Sequence, residues 1–325
     1  MRILLTGTSG QLGHALLPQL SRLPATAIIH APQRAELDLS NAAQLRLCIA
    51  DFKPDLIINP AAYTAVDLAE SEADKAHAIN AIAPAIMAEE ARKLGAGLVH
   101  YSTDYVYAGD KADAAGNWQA YVETDATAPL NIYGKTKLEG EQAIIASGCS
   151  HLILRTSWVY SNFGKNFFLT MLKLARERDQ LRVVNDQWGT PNSADWLAAA
   201  TCEILAQLQQ STDTATWWQQ FGGVYHLSAT GATNWFAFAT AIIELAAHQN
   251  KLGKAAPQIS GIPASEYPVP ARRPHNSLLS TEKLQAAFGL SIPDWRSTLD
   301  ACMQSVQAAA SAPLNSTTQA QGQAT

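Results

Sequence analysis

The feature that most constrains this chain lies at its start. A short apolar run, Arg2 to Leu5, is followed at once by Gly7-Thr8-Ser9-Gly10-Gln11-Leu12-Gly13. A strand that feeds a G-x-x-G-x-x-G loop opening a helix is the way α/β sheets hold a dinucleotide. Gly7 permits the tight turn, Gly10 lets backbone approach a pyrophosphate, and Gly13 lets helix and strand pack. The free N–H groups of the helix's first turn, around Gln11 and Leu12, attract the anion.

The segments downstream of the loop agree with that opening. Strand-like segments at Thr26 to His30, Leu56 to Asn59, Leu98 to Tyr101 and Leu152 to Arg155 alternate with helix-like ones at Leu12 to Leu23, Ala42 to Asp51, Glu72 to Leu94 and Thr136 to Ala146. Such alternation predicts an α/β fold, a Rossmann-type doubly wound parallel sheet. After Ser157 the pattern loosens, with helices expected at Phe167 to Glu177, Asp195 to Gln209 and Asn234 to His248. The expected organisation is a nucleotide-binding domain over residues 1–160, to which later segments return, and a smaller α/β substrate-binding domain over 161–307. From Ala308 the chain is Ala, Ser, Thr, Gln and Gly with almost no large apolar residue. That composition cannot offset its ordering entropy, so 308–325 is expected to be a disordered tail.

Composition narrows the function. A 325-residue chain that is 47% hydrophobic can bury a full core. Its net charge of -5 offers no basic field for nucleic acid or anionic lipid. The apolar run at the N-terminus is too short for a signal peptide, and no stretch approaches the ~20 apolar residues of a membrane span. Neither nucleic acid nor membrane is an expected partner, and the expected location is cytoplasmic. Cys48, Cys149, Cys202 and Cys302 are scattered without C-x-x-C spacing, which indicates reduced, buried thiols.

Coenzyme choice rests on the end of the second strand, where an acid would hold a ribose hydroxyl and a base would accept a 2′-phosphate. The residues there are His30-Ala31-Pro32-Gln33-Arg34. With no acid and Arg34 available, NADPH is expected, with NADH left open. Asp38 and Leu39 are placed beside the adenine, and Ala61, Ala62 and Tyr63 at the carboxyl edge of the sheet, where small side chains let a cofactor lie close.

Tyr133 and Lys137 stand four apart at the start of a helix and share one face. An ammonium beside a phenol stabilises tyrosinate, which would lower the phenol's pKa toward working pH and let it give a proton to a developing alkoxide. Lys137 would also hold the nicotinamide ribose. Thr103, in Val99-His100-Tyr101-Ser102-Thr103-Asp104, falls at the end of a strand, where its hydroxyl could donate to a substrate carbonyl oxygen.

In order and separation, the glycine loop, the strand-end Ser-Thr and the Tyr-x-x-x-Lys helix resemble the extended short-chain dehydrogenase/reductases. Within them the chain resembles the dTDP-4-dehydrorhamnose reductase family. The likeness is carried by Ala61-Ala62-Tyr63-Thr64-Ala65-Val66-Asp67, Tyr101-Ser102-Thr103-Asp104-Tyr105-Val106, Pro129-Leu130-Asn131-Ile132-Tyr133-Gly134, Arg155-Thr156-Ser157-Trp158 and Pro270-Ala271-Arg272-Arg273-Pro274. The resemblance implies a nucleotide-sugar substrate and reduction at its C4 keto carbon, with Thr103, Tyr133 and Lys137 catalytic. It also implies that Thr64, Val66, Tyr105 and Trp158 surround the sugar, and that Arg272 and Arg273 meet the diphosphate. Family members carry a glutamate two residues after the third glycine, linked to magnesium at a dimer contact, where this chain has His14-Ala15. Mg2+ and the choice between monomer and homodimer therefore stay open. Two other readings remain: an NAD-retaining nucleotide-sugar epimerase, and a non-catalytic regulatory subunit like that of methionine adenosyltransferase. Elimination chemistry is disfavoured because Asp104 is followed by Tyr105 and not by an acid.

Overall fold

The computed structural model describes residues 1–22 and 27–306. The expected tail at 308–325, and the expected helix end and strand start that meet at 23–26, lie outside the described residues.

Six parallel strands form the central sheet: β1 (Arg2–Leu5), β2 (Ile28–His30), β3 (Leu56–Asn59), β4 (Gly97–Thr103), β5 (Ser150–Thr156) and β6 (Gly223–His226), in the order β6-β5-β4-β3-β1-β2. Successive side chains on a strand point to opposite faces, and here both faces are covered. Ile3 and Leu5 join one apolar layer, with Leu56, Ile58, Val99, Leu152 and Leu154. Leu4 joins the other, with Ile57, Leu98 and Ile153.

Helix α1 (Gln11–Leu20) brings Leu12, Ala15, Leu16 and Leu20 to the first layer, where α6 (Ala194–Gln210) adds Leu197, Ala198, Ile204 and Leu205. On the other face α2 (Ala42–Phe52), α3 (Ala83–Leu94) and α4 (Ile132–Ser147) contribute Leu45, Ile49, Ile86, Met87 and Ile144. At roughly 1.5–3 kcal/mol for each large apolar side chain, these two layers dominate what holds the sheet together. A further cluster lies beyond it, where α5 (Phe167–Glu177), α7 (Trp235–His248) and α8 (Trp295–Gln304) pack Phe168, Leu172, Phe238, Ile242, Trp295 and Leu299. A parallel two-stranded ribbon of Gln180–Val184 and Gln258–Ile262 borders that cluster.

The expected Rossmann-type sheet is present, with informative differences. Strand β4 runs on to Thr103, and α4 begins at Ile132, four residues before the expected Thr136, because the Asn131 side chain caps it by accepting from Gly134 N at 2.8 Å. The helix expected from Glu72 to Leu94 has a π turn at Ala78–Ile82. Pro84 has no N–H to give to the carbonyl of Asn80, four residues earlier, and the turn widens there. The sheet's sixth strand comes from residues 223–226, far along the chain.

Candidate active site

β1 leads through α1 to β2 on one side, and β2 leads through α2 to β3 on the other side of β1, so the strand order reverses between β1 and β3. In open α/β sheets ligands lie at the carboxyl ends of strands flanking such a reversal. A cavity of about 380 Å³ opens there. Gly7 adopts φ +63°, and a Cβ on it would stand 2.9 Å from Ala61 Cα. The loop and the Asn59–Tyr63 segment are thus in backbone contact. A Cβ on Gly13 would stand 2.2 Å from the Gly7 carbonyl oxygen, so the third glycine closes the loop upon itself. Gly10 caps α1 without a side-chain hydrogen bond, which leaves the first-turn N–H groups to an outside anion.

Among the expected cofactor residues, Gly7, Gly10, Gln11, Leu12, Arg34, Asp38, Leu39, Ala61, Ala62, Tyr133 and Lys137 line this cavity. Arg34 is exposed at its lip. Gln33 ties that segment to the loop by donating to Thr8 Oγ1 at 3.0 Å. Asp38 is held below the usual carboxylate range, first by the Ser40 N–H and then by its hydroxyl. Gly13 and Tyr63 stand behind the wall. Tyr63 is clamped by Asn80, which accepts from its N–H at 2.8 Å and donates to its carbonyl at 3.1 Å. The same amide donates to Thr136 Oγ1 at 3.2 Å, so the π turn fastens the loop after β3 to the helix that carries Tyr133 and Lys137.

Lys137 is 1% exposed. Its Nζ donates to the Tyr101 carbonyl at 2.6 Å and lies 3.1 Å from His100 Nε2. Burial pulls it down to about 8, against the pull of Glu141. Tyr133, one turn earlier, lies edge-on to Tyr105 with ring centroids 5.7 Å apart. The expected lowering of the phenol is not what the structure shows: burial pushes Tyr133 up to about 12, opposed by the Thr103 hydroxyl. Lys137 is turned toward β4, and desolvation of the phenol dominates. Thr103 ends β4, as expected. Its hydroxyl donates to Asp104 Oδ1 at 3.0 Å and accepts from Tyr105 N at 3.1 Å. Asp104 is itself buried, which raises its carboxyl to about 6.

Of the residues expected around the sugar, Thr64 lines the cavity, whereas Thr103, Val66, Tyr105, Trp158, Arg272 and Arg273 do not. Tyr105 meets Tyr133 as described. Trp158, at φ +45°, stacks on Trp235 with centroids 3.6 Å apart, and a Cβ on Gly189 would strike its ring. Arg273 pairs with Asp67 at 2.9 Å, while Arg272 is exposed and its carbonyl accepts from the Asn131 side chain at 2.8 Å. In the 110–127 stretch, Tyr121 stacks on Tyr107, 4.2 Å between centroids.

Sequence reasoning missed Ser102 and Thr156. Both line the cavity, and both hydroxyls are buried without a hydrogen-bond partner. Their position at the carboxyl ends of β4 and β5 was the available signal. Lys165, another lining residue, sits on a segment held to the loop by Gln11, which donates to Val159 O and accepts from Ser161 Oγ. His14 stacks on Phe163 at 3.8 Å, and among the described residues no cluster of three or more His, Cys, Asp or Glu is placed to hold a metal. No helix among them is long and apolar enough to cross a membrane.

Comparison with known proteins converges on one family. The model for the RmlD substrate binding domain matches residues 1–308. The chain is 43% identical to a dTDP-4-dehydrorhamnose reductase of Escherichia coli (strain K12) over 298 residues, covering 91% of this chain and 95% of that protein. It is 41% identical to the dTDP-4-dehydrorhamnose reductase of Burkholderia thailandensis, covering 94% of this chain and 98% of that one. The crystal structure of a dTDP-4-dehydrorhamnose reductase from Bacillus anthracis in complex with NADP superposes with a TM-score of 0.82 at 33% identity, covering 94% of this chain and 99% of the other.

Proposed function

The chain belongs to the RmlD substrate binding domain family, and from that membership we propose that it is an NADPH-dependent dTDP-4-dehydrorhamnose reductase. It reduces the C4 keto group of dTDP-4-dehydro-β-L-rhamnose to dTDP-L-rhamnose, the last step in making that nucleotide sugar. The observation that carries the reading is the pair Tyr133 and Lys137 on one helix face at the wall of the cavity that the glycine loop also lines.

The cavity fits the cofactor on its own evidence. Gly7 and Gly13 of its loop have no room for Cβ atoms, its helix end has no side-chain cap, and the Ser102 and Thr156 hydroxyls lack partners. Gly10, Gln11 and Leu12 would hold the pyrophosphate, Arg34 the 2′-phosphate, and Ala61 and Ala62 the dinucleotide's inner face. NADPH, when bound, supplies the hydride.

The chain's residues do the rest. At about 12 the Tyr133 phenol stays protonated at working pH, so it is ready to give its proton to the oxygen that becomes the C4 hydroxyl. The transfer is downhill, because an alkoxide is a stronger base, its conjugate acid being about as weak as water at ~15.7. Lys137, charged below about 8 and lining the same cavity, would hold the nicotinamide ribose. In this reading residues 1–160, completed by β6, hold the dinucleotide in a cytoplasmic enzyme, and the half from 161 onward closes over the sugar.

The test follows NADPH and NADH absorbance separately while dTDP-4-dehydrorhamnose is supplied to purified protein. Oxidation faster with NADPH supports the reading. Folded protein that binds coenzyme yet oxidises neither would overturn it.

A further inference from the structure

A buried polar chain runs from the dinucleotide loop to the catalytic lysine. Thr6, the residue before Gly7, lies 2.6 Å from Asn59 Oδ1 through its hydroxyl. Asn59 Nδ2 is 3.1 Å from His100 Nδ1, and His100 Nε2 is 3.1 Å from Lys137 Nζ. Thr6, Asn59, His100 and Lys137 are 2%, 0%, 0% and 1% exposed, so each polar atom must be satisfied within the chain.

The ends of the chain are unequal in chemistry. An ammonium only donates, an amine can also accept, and a neutral imidazole donates from one nitrogen and accepts at the other. With Lys137 an ammonium, His100 Nε2 must accept. Its Nδ1–H then donates to the Asn59 oxygen, and the Asn59 amide turns over to donate to Thr6. With Lys137 an amine, His100 Nε2–H donates to Nζ, Nδ1 accepts from Asn59 Nδ2, and Thr6 donates to Asn59 Oδ1. The second arrangement is the one in which the Asn59 amide stands here. Side chains without this double capacity would leave a donor facing a donor in one of the two states.

We propose that His100 is the positioning residue of the catalytic lysine, switching between its two neutral tautomers as Lys137 gains and loses a proton, with Asn59 turning over to match. The proposal rests on Lys137 being the catalytic lysine and adds a residue that touches neither coenzyme nor sugar. Of the ionisable groups around Lys137, Tyr133 and Glu141 lie one turn away on α4, His100 faces it from β4, and Arg155 on β5 binds Glu141. Burial, and then the lysine's charge, hold His100 well below the ordinary imidazole range, so it stays neutral while Lys137 titrates.

The experiment is 15N NMR of the full chain labelled at histidine, recorded from about pH 6 to about pH 10, a span that brackets a buried lysine. Signals of His100 are assigned by their loss in His100→Gln. The protonated and unprotonated ring nitrogens of His100 should exchange identity across the titration, and should keep one identity in Lys137→Met. A single tautomer throughout in the wild-type chain, or an imidazolium at the acid end, would overturn the proposal. Kinetics give a second readout. In His100→Phe the ammonium loses its acceptor, so the pH at which NADPH oxidation fails should fall by about one unit, a tenfold change in proton concentration, with NADPH affinity retained. An unmoved profile in folded His100→Phe would also overturn it. The tautomer measurement needs no turnover, so it stays readable even if the reductase reading fails.

Discussion

Gly13 sits so close to Gly7 that a single methyl group placed on it would stand 2.2 Å from the Gly7 carbonyl oxygen. The clash is with backbone, which cannot swing aside. Gly13→Ala must therefore push the loop outward, at a cost of roughly 1–3 kcal/mol for overpacking. NADPH affinity in a fluorescence titration should fall by about 5- to 150-fold, the range that such a cost spans. Wild-type affinity in this variant would mean that the loop does not carry the coenzyme.

Tyr133→Phe removes the proton donor and almost no volume. Its kcat should drop by about 10²–10⁴, the range assigned to a positioned acid, while coenzyme affinity is retained. Turnover within a few-fold of wild type would remove Tyr133 from the chemistry.

The pH profile should have a basic limb set by Lys137. Its ammonium, present below about 8, is lost as pH rises through that value, and the rate of NADPH oxidation falls with it. Tyr133, at about 12, titrates too late to set this limb. A rate that is flat from about pH 7 to about pH 10 would contradict the assignment of the charged lysine to the reaction.

Arg34 is the basic residue at the lip of the cavity where the second strand ends. Arg34→Ala should raise KM for NADPH by about tenfold, in keeping with the loss of a charge-assisted contact, and change KM for NADH little. Equal effects on both coenzymes would show that Arg34 does not read the 2′-phosphate.

Between α4 and β5, Arg155 and Glu141 form a fork at 2.6 Å between Nη2 and Oε2, with side chains 6% and 1% exposed. Removing one partner strands the other charge. Glu141→Ala should lower stability by about 3–5 kcal/mol in denaturant unfolding, and substitution of an exposed acid such as Glu89 far less.

The site was legible in the sequence where a motif specifies backbone. The glycines of the loop, the strand ending at Thr103 and the four-residue spacing of Tyr133 and Lys137 each require a local geometry that the residues announce. What stayed hidden depends on contacts made across space. Gly223 to His226 begins within a Gly-Gly pair but is too short to show alternation, and it pairs with β5 from about 70 residues further along the chain. His100 reads as one more residue of an apolar strand until Lys137 arrives from 37 residues away. Trp158 was legible as an aromatic near the site, but not as the partner of Trp235. The phenol's pKa likewise turns on burial, which spacing along a helix does not encode.

The position of β6 also bears on how the chain is made. Until residue 226 has left the ribosome, β5 is the outermost strand of the nascent sheet, and its apolar residues Leu152, Ile153 and Leu154 lie along an unpaired edge. Such an edge is a template for another chain. Synthesis at ~5–20 residues per second leaves that edge open for several seconds. A truncation at the apparent end of the nucleotide-binding segment would make that interval permanent, and the fragment would aggregate instead of folding as a smaller coenzyme-binding protein.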